Sequence, residues 1–145
     1  MKEYKKTCQD EIDWAIVNQL HESTLQISKS CFEFKKICVG LIGAVLAVLV
    51  KISGNQLNNS YFFIPLLVCC GFWIADSSAY YFQRRNRIIM NEKLDAIADR
   101  NAIENYEPES LSVSLLGALF NYSMSLYYAL AISGFSGLAY IYFCR

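Results

Sequence analysis

Residues 37–52 read ICVGLIGAVLAVLVKI, residues 53–60 read SGNQLNNS, and residues 61–82 read YFFIPLLVCCGFWIADSSAYYF. The first run carries a single charge, Lys51, and the last a single charge, Asp76. A helix needs about 17–25 mainly apolar residues to cross a bilayer core of about 30 Å, so the first run sits at the short end and the second fits well. The stretch between them is rich in turn residues and has no charge. Residues 37–82 therefore predict a two-helix transmembrane hairpin.

A third apolar stretch follows at 111–144, LSVSLLGALFNYSMSLYYALAISGFSGLAYIYFC. As one helix it would reach roughly 50 Å, more than a bilayer core, and two spans would leave no residues for a loop. The expected arrangement is an interfacial or ascending piece over 111–120, then one span over about 122–143. Aromatic residues gather at both ends of that span, with Tyr122, Tyr127 and Tyr128 at one and Tyr140, Tyr142 and Phe143 at the other, as interface belts do.

Lys35 and Lys36 precede the hairpin, and Arg84, Arg85 and Arg87 follow it. By the positive-inside rule these flanks lie in the cytosol and the uncharged loop lies outside, with Lys51 snorkelling to the interface. The start of the chain, MKEYKKTCQDEID, is too polar for a signal-peptide core, which again predicts a cytosolic N-terminus. The expected location is the inner (cytoplasmic) membrane, crossed about three times.

Outside the apolar runs the chain is charged. Residues 1–36 hold six lysines and six acids, and residues 83–112 hold five basic and six acidic residues. From 7 to 36 there is neither Gly nor Pro, and Ile12, Ile16, Leu20, Ile27, Cys31, Phe34 and Cys38 recur at spacings near three and four, with Ser23 or Thr24 interrupting. This predicts an amphipathic cytosolic helix over 1–36 that runs straight into the first span. Residues 83–105 read as a second helix with a weaker apolar side (Ile89, Met90, Leu94, Ile97, Ile103), ended by Pro108, so that 83–110 form a cytosolic helix and turn. Each stripe needs a partner in water, and the other helix is the nearest, which gives an antiparallel stalk. A straight second helix leaves few residues for the return to the third span, so 107–120 must be partly extended, or the helix must bend or lie on the membrane. The fold class expected is all-α and integral to the membrane, with about three transmembrane helices and an antiparallel helical stalk.

Thirteen basic and thirteen acidic residues balance, which argues against direct nucleic-acid binding. The only histidine, His21, removes a His-based triad, and no phosphate-binding, dinucleotide, zinc-protease or hydrolase motif is present. No catalytic residue, metal ligand or cofactor is therefore expected. The six cysteines (8, 31, 38, 69, 70 and 144) contain no CxxC pair and read as reduced, packed thiols.

Asp76 is the most informative residue, because a carboxylate within a span costs about 2.5–3.5 kcal/mol at the bilayer centre. Either it lines a water path or meets another subunit, or it bonds Tyr80 one turn on, or a nearby Arg such as Arg84. With Asn121, Ser125 and Ser133 it forms the set of candidate pore or intramembrane polar residues. Ser136 falls off the sector those three share. Ser125, Ala129, Ser133 and Gly137 follow at four-residue spacing, and Gly40 with Ala44 and Gly43 with Ala47 repeat the pattern in the first span. Such small residues let helices approach closely, within one chain or between subunits. Arg84, Arg85 and Arg87 read as contacts for lipid headgroups or an anionic signal.

The segment Phe72-Trp73-Ile74-Ala75-Asp76, with Tyr80-Tyr81 and Arg84-Arg85-Asn86-Arg87, resembles small bacterial membrane effectors of antiphage defence systems, the SLATT-like proteins. The likeness covers about residues 9–100, and the third span departs from the simplest two-span pattern. It implies a homo-oligomeric effector that permeabilises the inner membrane, or conducts ions across it, when a cytosolic protein or nucleotide signal releases it. Membrane lipids are the other expected partner. Two readings of a different class stand beside it: a non-conducting membrane anchor or adaptor that recruits a soluble partner, and an accessory subunit of a transporter.

Overall fold

A computed structural model describes residues 6–53, 58–103 and 112–144. Its helices are α1 (Cys8–Ser53), α2 (Ser60–Arg100), α3 (Leu115–Leu119) and α4 (Ser125–Cys144), with one 3-10 turn at Tyr122–Met124. Among the described residues there is no strand. At 46 and 41 residues, α1 and α2 extend about 69 and 62 Å at the usual helical rise. Both run without a break through positions 36 and 82, so the polar and apolar halves of the hairpin share the same two rods.

The rods pair along a seven-residue repeat. On α1, Asp10, Val17, Thr24, Cys31 and Cys38 are all buried at intervals of seven, with buried Asp13 and the partly covered Leu20, Ile27 and Phe34 as a second line. On α2 the facing line is Cys69, Asp76, Gln83, Met90 and Ile97. A seven-residue repeat keeps a seam facing its partner when two helices coil about each other. Antiparallel alignment follows from the cross-links: Arg100 bonds Asp10 at 2.9 Å, Asn86 bonds Ser23 at 3.3 Å, Lys35 bonds Asp76 at 2.5 Å, and the Tyr61 hydroxyl donates to the Leu49 carbonyl at 3.0 Å.

This seam corrects the apolar stripe expected from the sequence. Ile12 is half exposed, whereas Thr24, read as an interruption, lies in the seam and is buried. The polar residues at the tip are accommodated because they meet cations rather than carbon. Asp13 accepts from Arg100 Nη2 at 2.5 Å and pairs with Lys93 at 3.1 Å.

The tip is also capped at both termini. Thr7 Oγ1 accepts from the Asp10 N–H and Asp10 Oδ2 from the Thr7 N–H, both at 3.1 Å, a reciprocal box that closes the start of α1. At the end of α2, Ile103 N–H bonds the Ala98 carbonyl and Ala102 N–H bonds that of Asp99, with Ala102 at φ 47°. That is a Schellman closure in which alanine occupies the left-handed position that glycine usually takes.

Three stretches are long and apolar enough to cross a membrane, two of them within α1 and α2 and the third Tyr122–Phe143. They leave large apolar side chains outside the bundle, among them Val48, Leu67, Ile132 and Phe135. Contiguous surface of this kind is rare on soluble monomers and suits a hydrocarbon surround. Over 111–120, Leu111 lies outside the described residues, Ser114 is extended at φ −132°, ψ 151°, and α3 follows as a single short turn of helix. Pro108 also lies outside the described residues. α4 packs on α2, where Leu66 fills the space beside Gly134 and Phe62 the space beside Gly137.

Candidate functional site

Asp76 occupies the α2 seam and has no exposed surface. Its partner is Lys35, whose Nζ lies 2.5 Å from Oδ2 and whose side chain is 18% exposed. Neither Tyr80 nor Arg84, the partners expected from spacing along α2, reaches it. Arg84 Nε donates instead to the Tyr80 hydroxyl at 3.0 Å. The cause is angular. Tyr80 and Arg84 sit about 40° and 80° around the helix from Asp76, which turns them away from α1 and toward α3. Lys35, read from sequence as a topology-setting charge, is on α1 where the helix crosses Asp76. Lys36, its neighbour, is exposed and pairs with Glu33 at 2.8 Å.

Around this ion pair the helices place more polar groups than the sequence suggests. The Cys31 thiol and the Tyr127 phenol both face the Asp76 carboxyl. Lys35 Nζ lies 5.9 Å from the centre of the Tyr127 ring. Asp76 Oδ1 and the Tyr127 hydroxyl are both buried without a formed hydrogen bond. Tyr127 is fully buried, so it belongs to this site and not to the aromatic belt in which the sequence placed it. Tyr122, Tyr140, Tyr142 and Phe143 are exposed, as a belt requires. The cluster rests on an apolar floor of Cys38, Ile42, Cys69 and Met124. One side chain from each of α1, α2 and α4 thus meets at a single charged point (Lys35, Asp76 and Tyr127).

The structure separates the other candidate polar residues from Asp76. Asn121 caps the 3-10 turn, its Oδ1 accepting from Ser123 N–H at 3.0 Å. Ser125 is exposed on α4, and Ser133, also exposed, borders an apolar cavity that Leu66 of α2 and Ile42 of α1 share with it. Four-residue spacing drifts by about 40° per step, so Gly137 has rolled about 120° away from Ser125 and packs against Phe62 of α2. Gly40, Gly43, Ala44 and Ala47 are likewise exposed, and a Cβ on either glycine would meet nothing within 4 Å. These four lie on the side of α1 opposite Cys38 and Ile42. The α1 stripe is therefore open in the single chain, whereas the α4 stripe is open at Ser125 and Ala129 and turns toward α2 at Gly137.

A second polar group surrounds Arg84. Trp73 Nε1 and the Tyr128 hydroxyl both donate to the Leu119 carbonyl, at 3.1 and 2.8 Å, and the Trp73 ring meets Phe120 and Tyr128 edge-on. This aromatic cluster holds α3 against α2, and a small cavity lies between Tyr80 and Arg84 of α2 and the 112–118 segment. Arg85 and Arg87 are exposed and outside it. Nothing in the spacing of Arg84, Arg85 and Arg87 distinguishes the three.

At the far end of the hairpin, Asp10 and Asp13 form a clasp with Lys93, Arg100 and Asn101. The Thr7 backbone N–H, followed by the Arg100 and Asn101 side chains, holds the Asp10 carboxyl down to about 2. Arg100 and Lys93 lower that of Asp13, and Asp13 and Asp10 raise the Arg100 guanidinium. The acids also sit at the positive end of the α1 dipole, and Arg100 at the negative end of α2.

Fold and site together define an all-α chain with three helices apolar enough to span a membrane, two of which continue as a paired polar stalk. No family model, curated protein or solved structure matches the chain.

Proposed function

We propose that this protein is a homo-oligomeric effector of the bacterial inner membrane that permeabilises the membrane or conducts ions across it. Lys35, Lys36, Arg84, Arg85 and Arg87 flank the hairpin on one side, and this asymmetry supports a cytosolic stalk and N-terminus. The observation that carries the reading is the Lys35–Asp76 pair, placed where unbroken helices pass from the polar stalk into the apolar bundle. A change in pairing at the stalk reaches the bundle along rigid rods, and the ion pair is the point where it alters the charge inside. The open stripe on α1 and the exposed Ser125 and Ala129 of α4 supply close-packing faces for neighbouring copies, with Ser125 and the exposed Ser133 the polar surface an oligomer would enclose. The assignment to antiviral defence rests on the resemblance of residues 9–100 alone.

A second reading, a non-conducting anchor, is favoured by the exposure of Trp14, Leu25 and Phe32 on the stalk, where a soluble partner would dock. Dye and ion leakage from liposomes holding the purified chain, with its mass in detergent, separates the two. Leakage from a discrete oligomer that changes in Asp76→Asn supports the effector. Vesicles that stay tight for both proteins, even with the stalk clasp broken by Arg100→Gln, support the anchor.

A further inference from the structure

The cavity beside Arg84 has a volume of about 190 Å³ and is lined by Tyr80, Arg84, Ser112, Ser114 and Asn121, among others. That is roughly ten times the space needed to admit one water. The polar groups of its lining have their acceptors engaged and their hydrogens free. Ser114 Oγ accepts from Gly117 N–H at 2.9 Å, Asn121 Oδ1 accepts from Ser123 N–H at 3.0 Å, and the Tyr80 hydroxyl accepts from Arg84 Nε at 3.0 Å. What remains to face a ligand is the Ser114 and Tyr80 O–H, the Asn121 amide N–H groups, the Ser112 hydroxyl and the two terminal nitrogens of Arg84. No carboxylate among the described residues pairs with Arg84. A pocket of donors around an arginine selects a compact oxyanion with several acceptor oxygens, because charge-assisted bonds to guanidinium are the strong ones.

We infer that this cavity binds a phosphate group, clamped between Arg84 of α2 and the α3 turn. A bound phosphate would bridge Arg84 to Ser114 and Asn121, and so staple α3 to α2 above the Trp73–Phe120–Tyr128 cluster. Arg84 lies just beyond the apolar run that ends at Phe82. In the membrane orientation proposed above this is headgroup level, which favours an anionic lipid as the source; a soluble phosphate ester offers the same chemistry. The source rests on the membrane reading, whereas the donor set does not.

The test uses the full-length protein in mild detergent, with native mass spectrometry to count adducts of phosphatidylglycerol and of diacylglycerol, which lacks the phosphate. The expected result is a phosphatidylglycerol adduct, no diacylglycerol adduct, and at least about a fivefold loss of the former in Arg84→Gln, a loss of about 1 kcal/mol. Ser112→Glu, at an exposed position, places a negative charge at the pocket and should lose the adduct equally without disturbing the helices. Arg85→Gln should keep it. Displacement by glycerol 3-phosphate assigns the pocket to a soluble ester, and failure to displace assigns it to the lipid. Binding through Arg84 by a protein that fails to insert into vesicles would leave the pocket standing and overturn the membrane reading. Equal adducts in wild type, Arg84→Gln and Ser112→Glu, or equal losses in Arg84→Gln and Arg85→Gln, overturn the pocket.

Discussion

Lys35→Met removes an ammonium 2.5 Å from a carboxylate that has no exposed surface. The remaining Asp76 must stay charged without a counter-ion or take up a proton, and breaking such a buried pair costs about 3–5 kcal/mol. The lower end applies here, because the Tyr127 phenol faces the carboxyl and a hydrogen bond to a charged group returns about 1.5–3 kcal/mol. The expected loss of about 3 kcal/mol is roughly a hundredfold in the unfolding equilibrium. Asp76→Asn should cost less, about 1–2 kcal/mol, since the orphaned Lys35 is already 18% exposed and its stem can carry the ammonium outward. Lys35→Met combined with Asp76→Asn removes both charges and should lie within about 1.5 kcal/mol of wild type, well short of the sum of the single losses. Reversible unfolding in bicelles or mixed micelles gives the four free energies of the cycle. Additive single losses, or a Lys35→Met loss below about 1 kcal/mol, would refute the claim that the two charges are coupled inside the bundle.

The stalk clasp makes a pH prediction. The folded Asp10 carboxyl lies at about 2, below its ordinary 3.8, so its stabilisation is full above about pH 4 and is lost as pH falls through about 2. Hydrogen exchange at the start of α1 should accelerate in that window, and Arg100→Gln should move the onset to higher pH. Ala102→Gly relieves a left-handed alanine and should stabilise the end of α2 by about 0.5–1 kcal/mol, read from thermal unfolding. Gly137→Ala puts a Cβ about 2 Å from the Phe62 ring and should loosen α4 by about 1–3 kcal/mol. Gly40→Ala meets nothing and should leave the monomer unchanged. Changing Ser125, Ala129 and Ser133 together to Leu should alter the oligomer's mass in detergent, and an unchanged mass removes that face as a subunit contact.

Hydropathy alone placed the three apolar helices, because length and composition decide whether a segment can cross a membrane. It did not find the partner of Asp76. That pair joins positions 41 apart in sequence, and only the alignment of two long helices brings them together, so local spacing favoured Tyr80 and Arg84 instead. The stripe through Ile12 and Ile16 followed apolar residues, whereas the seam follows a seven-residue interval that admits Asp10 and Thr24 when their neighbours satisfy them. A signal for this was present, since Asp10, Val17, Thr24, Cys31 and Cys38 are evenly spaced, but two of the five, Asp10 and Thr24, are polar. Tyr127 went inside because it is on the face of α4 that meets Cys69, whose thiol donates to the Tyr127 carbonyl at 3.6 Å. Nothing in the composition separates it from Tyr128.

Because the apolar contacts of α1 and α2 recur every seven residues, sliding one rod past the other by seven positions, about 10 Å, would return much the same carbon-to-carbon packing. The charges do not recur. Such a slip would set Asp76 near Thr24 or Cys38 in place of Cys31 and Lys35, and would draw Arg100 off Asp10. Two marks about 25 residues apart on the same pair of rods, roughly 37 Å, act as a vernier: a single offset satisfies both. The hairpin's length is therefore measured by its ions, and a ligand that disturbs either mark loosens the scale at the other.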